Sequence, residues 1–527
     1  MSNRRSSDTA DADVIVVGGG HNGLIGAAYL ARAGFDTLLL EARSSAGGCA
    51  STVTDLDARF NICNCDHTMI RVMPILDELD LEALGLRYAE PEASVIAQFY
   101  DSSSPWVGFH EIDRTLESIA AFYPTQVDGY RRYLADAMPV AQLAIDIAKT
   151  TPTVPHFVSE VLSRNPMTAA RLLSWSKKSL TEVLRGYFSA EQMVLPAIAA
   201  GPSVWGVRPD LAGTGLAAVG YATRHIIKSG RPVGGSGALT DAVEQSFRQA
   251  GGQVRFESVV EKLLLSGGKT AGVRLVDGTE LFAPVVIAAC DPQRVFTDWI
   301  DDVPAGATQL VDEWRSRPVA DGYESKIDAV LTKLPTYAAQ AKIHEHFPGL
   351  DTVGVTSFVS PSYDEVIQAH ELKAIGQVAE RPTLLVNIPS AIDPAMQGTD
   401  DFHVLSLEVL FTPYGLPGGW PGSTEPRRWL DLWEGLLTEP DFDQHVDRWR
   451  VMTPDRYEAE FSMHRGHTPA YQASPMATFM AKHPEVSRHE TAIDGLFLSG
   501  AGTYPGAGVF GAPGRNAAAA VRRSVGR

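Results

Sequence analysis

The segment DADVIVVGGGHNGLIGAAYLARAGFDTLLLEARSSAGG, residues 11–48, indicates the architecture of this 527-residue chain. Val14–Val17 is a short β-branched run that ends at a glycine, which is typical of a strand buried in a parallel sheet. Apolar residues then recur at helical spacing up to Gly34, a residue suited to ending a helix. Thr37–Leu40 predicts a second strand. The segment therefore predicts a strand, a glycine turn, a helix and a strand.

The glycines of the turn have the spacing Gly-x-Gly-x-x-Gly at Gly18, Gly20 and Gly23. In such a turn the first glycine permits a sharp bend, the second lets the backbone approach a diphosphate, and the third lets the helix pack on the strand. Glu41 follows Gly23 by 18 residues, where an acidic side chain can bind ribose hydroxyls. The segment thus predicts a dinucleotide site, and at this point NAD and FAD remain equal alternatives.

Arg43 and the pair Gly47-Gly48 follow the second strand directly. This double-glycine extension resembles the FAD-binding start of the glutathione-reductase-like flavoproteins, particularly their amine oxidase and phytoene desaturase branch. The resemblance implies an α/β fold, with a glutathione-reductase-like Rossmann FAD domain and a discontinuous α+β substrate domain. In that family the first βαβ unit holds the ADP half of FAD.

The closing segment GLFLSGAGTYPGAGVFGAPGRNAAAAV, residues 495–521, carries a second motif. It predicts a short strand, a glycine-rich run along a ligand, and an alanine-rich helix whose N-terminus would favour the anionic edge of a reduced flavin. The segment resembles the C-terminal signature of phytoene desaturase-related flavoproteins, in particular the branch called pyridine nucleotide-disulfide oxidoreductase domain-containing protein 2. Tyr504 departs from that pattern, because many relatives have histidine before the Pro-Gly pair.

Together, the motifs and the resemblance predict FAD as the cofactor. Its expected contacts are Gly18, Gly20, Asn22, Gly23, Glu41, Ala42, Arg43, Gly47, Gly48, Cys49, Val259, Val260, Gly500, Gly502, Gly508 and Val509. Noncovalent binding is favoured, because Ala501 and Gly502 stand where covalent amine oxidases carry a cysteine. Cys65 or His67 remain alternative attachment points.

Composition narrows the alternatives for the whole chain. A length of 527 residues favours two domains. The resemblance implies an FAD domain formed by residues 11–90, 231–300 and 485–527. It further implies a substrate domain formed by residues 91–230 and 301–484, and a flexible tail at residues 1–10. A net charge of −18 argues against nucleic acid as a partner. Four cysteines suit a reducing cytoplasm and offer no complete zinc site, so we expect a cytoplasmic protein without a metal.

The segment from Leu76 to about Ile226 has apolar residues at helical intervals and predicts a mostly helical insertion. Within it, residues 138–147 and 194–200 are apolar enough to line a hydrophobic tunnel or to touch a membrane surface. Packing in the protein core is the commoner explanation for such segments. Peripheral membrane contact therefore remains one alternative, and a homodimer is one alternative for the oligomeric state.

Four side chains near the motifs are candidates for proton transfer: His67, His464, His467 and Tyr504. Histidine is readily tuned to act as a base near neutral pH, although each of the four has an equally simple role as a structural hydrogen-bonding group.

The resemblance implies hydride transfer from a C–C bond of a hydrophobic molecule to flavin N5, which would leave a C=C bond. Two alternatives remain. Amine oxidase-like C–N oxidation predicts an aromatic pair beside the flavin, and the other alternative is a redox-neutral flavin-dependent isomerase or a binding protein that holds FAD structurally.

Overall fold

The computed structural model describes residues 10–63, 66–200, 207–397, 401–468, 471 and 475–526. Residues 1–9 of the predicted tail, which spans residues 1–10, and the alternative attachment point Cys65 lie outside this part of the chain. The strands are β1 (Val14–Val17), β2 (Thr37–Leu40), β3 (Thr52–Asp55), β4 (Ala58–Asn61), β5 (Tyr88–Ala89), β6 (Val95–Phe99), β7 (Trp106–Gly108), β8 (Arg231–Pro232), β9 (Gln253–Arg255), β10 (Val260–Ser266), β11 (Lys269–Leu275), β12 (Glu280–Phe282), β13 (Val285–Ala288), β14 (Glu324–Leu331), β15 (Ser357–Ser360), β16 (Leu384–Asn387), β17 (His403–Leu410), β18 (Val446–Met452) and β19 (Leu496–Leu498).

The α-helices alternate with these strands and cluster between β7 and β8. They are α1 (His21–Arg32), α2 (Ile75–Glu78), α3 (Ile112–Phe122), α4 (Val127–Ala148), α5 (Val154–Leu162), α6 (Pro166–Trp175), α7 (Leu180–Arg185), α8 (Leu195–Ala200), α9 (Gly220–Ile226), α10 (Gly237–Gln249), α11 (Pro292–Asp298), α12 (Thr308–Ser316), α13 (Ala338–His346), α14 (Tyr363–Ala374), α15 (Glu425–Glu434), α16 (Pro454–Phe461), α17 (Pro475–Phe479), α18 (Pro484–Ser487) and α19 (Ala512–Ser524).

A five-stranded parallel sheet has the order β19-β13-β1-β2-β9. Its central strand β1 is buried along its whole length, as its uniformly β-branched sequence predicts. Helices α1, α10 and α19 pack together beside the sheet. Strands from the beginning, middle and end of the sequence thus form one sheet, which brings the two glycine motifs to the same edge.

The segment between α10 and β13 differs from its prediction in one respect. The sequence predicts that residues 254–256 belong to an antiparallel meander, but β9 joins the parallel sheet beside β2. Only β10, β11 and β12 form the meander. Alternation in so short a run does not reveal its partner, and here the exposed edge of β2 provides one. The predicted domain boundaries stay a prediction, because sheet membership assigns strands and not the loops between them.

A seven-stranded sheet has the order β18-β14-β17-β16-β15-β6-β7 and is antiparallel except between β6 and β15. One face packs against α15 through the buried indoles of Trp429 and Trp433. The other face meets the apolar core of the helical region through Phe358, Leu385 and Leu410.

The apolar segments 138–147 and 194–200 lie in α4, in α8 and beside them. Val140, Leu143 and Ile198 have no exposed surface, so within the described residues these segments pack in the core and do not provide a membrane surface. Among the helices of the described residues, none is both long enough and apolar enough to cross a membrane.

Candidate functional site

The first glycine turn is shaped by close backbone packing at two positions and by open space at a third. Gly18 has φ +101°, and a Cβ at Gly23 would lie only 1.9 Å from the carbonyl oxygen of Gly18. A Cβ at Gly20, in contrast, would meet no protein atom within 4 Å. Gly20 also precedes the N-terminus of α1, where no side chain caps the backbone N–H groups. Free N–H donors facing open space are suited to a phosphate.

The second glycine pair faces this turn. The Gly47 N–H donates to the carbonyl oxygen of Gly19 at 2.8 Å, and a Cβ at Gly48 would lie 3.1 Å from the Cα of Gly20. Both Gly47 and Gly48 have positive φ, at +116° and +55°. The two loops therefore form a narrow backbone cradle that a side chain at either Gly20 or Gly48 would begin to fill.

Glu41, the acidic residue predicted to bind the ribose hydroxyls, lies beside this cradle. Its carboxylate is buried and accepts hydrogen bonds from the Gly19 N–H at 2.7 Å and the Arg43 N–H at 2.8 Å. Arg43 in turn stacks over the ring of Phe461, 4.2 Å from its centroid. The fixed carboxylate at the end of β2, next to a cradle for a diphosphate, fits the adenosine half of a dinucleotide.

Residues 257–260 run beside this acid, which places the predicted adenine contacts near it. The Ser258 N–H donates to the carbonyl oxygen of Glu41, at 2.9 Å. Val259 is 43% exposed and Val260 is buried. The carbonyl oxygen of Val259 already accepts the Val276 N–H, so contact with adenine at Val259 and Val260 stays a prediction.

The closing motif meets the opening motif directly. His21, at the start of α1, lies with Nε2 3.2 Å from the carbonyl oxygen of Gly508, and a Cβ at Gly514 would lie 2.0 Å from the carbonyl oxygen of Asn22. Gly500 and Gly508 have positive φ, at +99° and +95°. Helices α1 and α19 therefore approach backbone to backbone, because glycine in α19 leaves room that any side chain would occupy.

Helix α19 begins slightly later in the sequence than the closing-motif residues that are predicted to contact FAD. Helix α19 begins at Ala512, three residues after Val509. The carbonyl oxygen of Val509 accepts the Ile70 N–H at 3.1 Å. The run Gly500–Val509 thus reaches the site as a series of turns and bends rather than as the first helical turn. Gly502 lies within this run. Cys49 directly follows Gly48, and the thiol of Cys49 lies 3.2 Å from the sulfur of Met463.

His67 is held as a neutral hydrogen-bonding group. It is fully buried, with Nδ1 3.2 Å from the hydroxyl of Tyr88 and Nε2 3.2 Å from the hydroxyl of Ser236. Burial lowers the pKa of His67 to about 3. Because both ring nitrogens already have partners, this geometry supports a structural role.

His467 and His464 lie in other surroundings. His467 is buried beside Tyr323, and its Nδ1 has no hydrogen-bond partner among the described residues. Burial, assisted by the positive charge of Lys373, lowers the pKa of His467 to about 4. His464 lies 3.5 Å from the carboxylate of Glu458. The two histidines therefore have different neighbours, Tyr323 for His467 and Glu458 for His464.

Tyr504 lies where the closing motif meets the apolar core. It precedes a cis peptide bond to Pro505, it is buried, and its ring contacts that of Tyr471 edge to face with centroids 5.5 Å apart. Burial raises the pKa of the Tyr504 hydroxyl, which leaves it protonated at neutral pH.

The sequence analysis missed a buried polar face on the seven-stranded sheet. Glu324 and Lys326 on β14 are buried, and Lys326 pairs in register with the buried Glu408 on β17. The ammonium of Lys326 forms an ion pair with Asp328 and donates to the carbonyl oxygen of Asn61 at 2.7 Å. The signal was present, since charged residues occur at every second position of Glu324–Asp328, but alternation alone suggests a solvent-exposed face.

Two carboxyl groups of this face have raised pKa values, those of Glu324 and Glu408. Burial raises the pKa of Glu324 to about 7. Burial also raises the pKa of Glu408 well above its usual range, and the nearby Glu324 charge adds to the effect. The thiol of Cys63 lies 3.7 Å from a Glu324 oxygen, which connects these acids to the loop that follows β4. Perturbed carboxyl groups of this kind are often found at functional sites.

Comparison with known proteins agrees with this geometry. The model of the family described as flavin containing amine oxidoreductase matches residues 23–321, more than half of the chain. Mouse pyridine nucleotide-disulfide oxidoreductase domain-containing protein 2 is 26% identical, over 97% of this chain and 94% of that protein. The neurosporene-forming phytoene desaturase of Rhodobacter capsulatus is 24% identical, over 94% of this chain and 90% of that protein.

The fold is shared with solved structures. Cyclohexylamine oxidase from Brevibacterium oxydans superposes with a TM-score of 0.57 at 16% identity, covering 98% of this chain and 100% of that chain. The predicted α/β fold and the predicted FAD cofactor are confirmed. The chain belongs to the flavin-containing amine oxidoreductase family and is an FAD-dependent oxidoreductase of the amine oxidase and phytoene desaturase type.

Proposed function

We propose that this enzyme dehydrogenates a C–C bond of a hydrophobic molecule and leaves a C=C bond. Bound FAD supplies the acceptor for the hydride. The cradle of Gly20 and Gly48 and the carboxylate of Glu41 would hold the cofactor. A cytoplasmic location remains our prediction from the low cysteine content.

The observation that carries the proposal is the apolar surrounding of Tyr504. This residue lies two positions after Gly502 and belongs to the buried cluster that contains Phe358, Leu385, Phe411 and Phe479. Such a wall excludes water and offers dispersion contacts to a hydrocarbon substrate, which would be held there by shape. The similarity to a phytoene desaturase supports the same substrate class.

The proton that leaves together with the hydride needs an acceptor. Glu324 suits this task because its pKa of about 7 lies near a neutral operating pH. His467 is a second candidate, because its Nδ1 has no hydrogen-bond partner among the described residues and its neutral ring can accept a proton. Both groups are buried, which keeps bulk water away from them.

Amine oxidation is the second candidate function, because an aromatic pair lies at the closing motif. The rings of Tyr471 and Tyr504 are 5.5 Å apart and nearly perpendicular. A substrate held between two rings needs centroids roughly 7 Å apart, or two contact distances of about 3.5 Å. The pair as it stands leaves no such gap, which favours the dehydrogenation of an apolar substrate.

Anaerobic titration of the FAD-loaded protein tests the proposal. Polyenes, alicyclic ketones and amines are added separately, and the flavin absorbance at about 450 nm is followed because reduction bleaches it. We expect bleaching by polyenes or alicyclic ketones and none by amines. Bleaching by amines alone, with peroxide released on exposure to air, would support the second candidate. An isomerised product without bleaching would overturn both in favour of redox-neutral chemistry.

A pair of variants identifies the role of the aromatic ring. Tyr471→Ala removes the ring, whereas Tyr471→Phe keeps it and removes only the hydroxyl, which lies 2.7 Å from that of Thr478. We expect the Phe variant to bleach as the wild type does. If amine-dependent bleaching is lost only in the Ala variant, the result would favour amine oxidation with the aromatic pair as part of the site.

A further inference from the structure

Arg224 places a guanidinium inside the apolar region beside the closing motif. It lies on α9, and its Cζ is 5.3 Å from the centroid of the buried Phe358 ring. Phe358 and Tyr221 of α9 belong to the same buried cluster as Tyr504. A permanently charged side chain is costly among such neighbours unless an anion pairs with it. The partners of Arg224 therefore decide what this part of the molecule can bind.

Among the described residues, the guanidinium of Arg224 has one hydrogen-bond acceptor and no counterion. Its Nη1 donates to the carbonyl oxygen of Ser94 at 3.2 Å. A guanidinium carries several N–H donors in a fixed planar arrangement and accepts no hydrogen bond. Most of the donors of Arg224 are therefore available to a ligand.

The carboxylate whose charge reaches Arg224 is already engaged. Asp66 acts on Arg224 through its negative charge. It pairs, however, with the buried guanidinium of Arg231 at 2.7 Å, and it accepts a hydrogen bond from the hydroxyl of Thr356. Asp66 therefore neutralises Arg231, which leaves Arg224 without a counterion of its own in the described part of the chain.

Arg224 faces a confined space and not bulk solvent. The side chain is half-buried, so part of its surface is accessible to water. Burial nevertheless lowers the pKa of Arg224, which means that the charged group is mostly surrounded by protein. The two observations together fit a guanidinium whose accessible surface lies toward the interior of the molecule.

We propose that Arg224 binds a carboxylate group carried by an otherwise apolar substrate. Its planar guanidinium can donate two parallel hydrogen bonds to one carboxylate. A phosphate monoester fits less well, because its charge of roughly −1.5 to −2 exceeds what one guanidinium neutralises and would lie near the negative Asp66. This inference rests on the proposed function and narrows it to the dehydrogenation of an acid with an apolar body.

The position of Arg224 suits an anchor for such an acid. Asp66 is followed by His67, on which the charge of His21 at the start of α1 acts. His21 in turn contacts the carbonyl oxygen of Gly508 in the closing motif. Arg224 thus lies between the loop that leads to the flavin motifs and the apolar cluster that contains Tyr504. An acid anchored at Arg224 would extend its apolar body along that cluster.

Calorimetric titration of the full-length, FAD-loaded protein tests the proposal. The probes are decanoate and cyclohexaneacetate, and the methyl ester of each acid is the neutral comparison. The variant Arg224→Met removes the charge and keeps a long unbranched side chain. Arg114→Met is the matched control, because Arg114 also lies over an aromatic ring, that of Phe109 at 4.1 Å, but is paired with Glu92 at 2.7 Å.

We expect the wild type and Arg114→Met to bind each acid more tightly than its ester. Arg224→Met should bind the acids about 10- to 150-fold more weakly than the wild type does, because it loses charge-assisted hydrogen bonds. It should bind the esters as the wild type does. Arg224→Lys keeps the charge but not the paired donors, so it should bind the acids about fivefold more weakly.

A purely structural Arg224, which only fixes the segment at Ser94, would give a different pattern. Arg224→Met would then weaken the binding of acids and esters equally, and this result would overturn the proposal. Equal binding of acid and ester by the wild type, or no binding of either acid, would also overturn it. If Arg224→Met does not fold, Arg224→Lys provides the same comparison of acid with ester.

The titration and the bleaching assay fail independently. Binding requires no turnover, so loss of the acid preference would leave the bleaching result unaffected. A bleaching assay that fails with polyenes, ketones and amines alike would count against the proposed function without changing the affinities measured here.

Discussion

The two glycines Gly20 and Gly23 should respond to the same substitution in opposite ways. At Gly20 the backbone has φ −63° and ψ 166°, which alanine adopts readily, and a Cβ would meet no protein atom within 4 Å. Gly20→Ala should therefore change the stability of the apoprotein by less than about 1 kcal/mol. The same methyl group would project into the proposed phosphate cradle. The loss of one charge-assisted hydrogen bond, about 1.5–3 kcal/mol, would weaken FAD binding by about 10- to 150-fold.

Gly23→Ala provides the contrast. A Cβ there would lie 1.9 Å from the carbonyl oxygen of Gly18, so α1 and β1 would have to separate. We expect the apoprotein to lose about 3 kcal/mol of stability. The assay is thermal denaturation of each apoprotein, followed by titration with FAD monitored by flavin fluorescence. Wild-type affinity in Gly20→Ala would refute the cradle, and an equally stable Gly23→Ala apoprotein would refute the packing argument.

Two further predictions concern the buried polar face. The pKa of Glu324 is raised in the folded state to about 7, so its stabilising contribution is present below the unfolded pKa of about 4.5 and is lost as the pH rises through 7. The thermal stability of Glu324→Gln relative to the wild type should therefore increase between pH 5 and pH 8, by on the order of 3 kcal/mol. A difference that stays constant with pH would contradict the raised pKa. Lys326→Met should destabilise the protein by about 3 kcal/mol because it leaves Asp328 with one cationic partner fewer. The control Lys262→Met, at an exposed ion pair with Asp301, should cost about 1 kcal/mol or less. Equal melting temperatures of the two variants would argue against a stabilising role of the buried pair.

Local sequence predicted the nucleotide fold well because the constraints there act over few residues. Gly18, Gly23 and Glu41 lie within one βαβ unit, and the geometry of that unit fixes their spacing. The same reasoning located β19 and α19 from the closing segment. It did not place β9, since a three-residue strand carries too little pattern to reveal its neighbour.

The candidate proton-transfer groups show where the sequence was insufficient. His67 was a candidate because it lies near a motif, but its partners Tyr88 and Ser236 come from distant parts of the chain and engage both ring nitrogens. Glu324 and Glu408 were missed because alternation indicates two faces of a strand without stating which face is buried. Burial depends on what packs against the sheet.

The sequence by itself therefore determined the FAD fold and the glycine positions, because backbone geometry around glycine depends on neighbouring residues along the chain. Only the tertiary structure decided that the two motifs meet at His21 and Gly508 and that residues 138–147 lie in the core. These outcomes depend on which surfaces are removed from water, and that is a property of the assembled molecule.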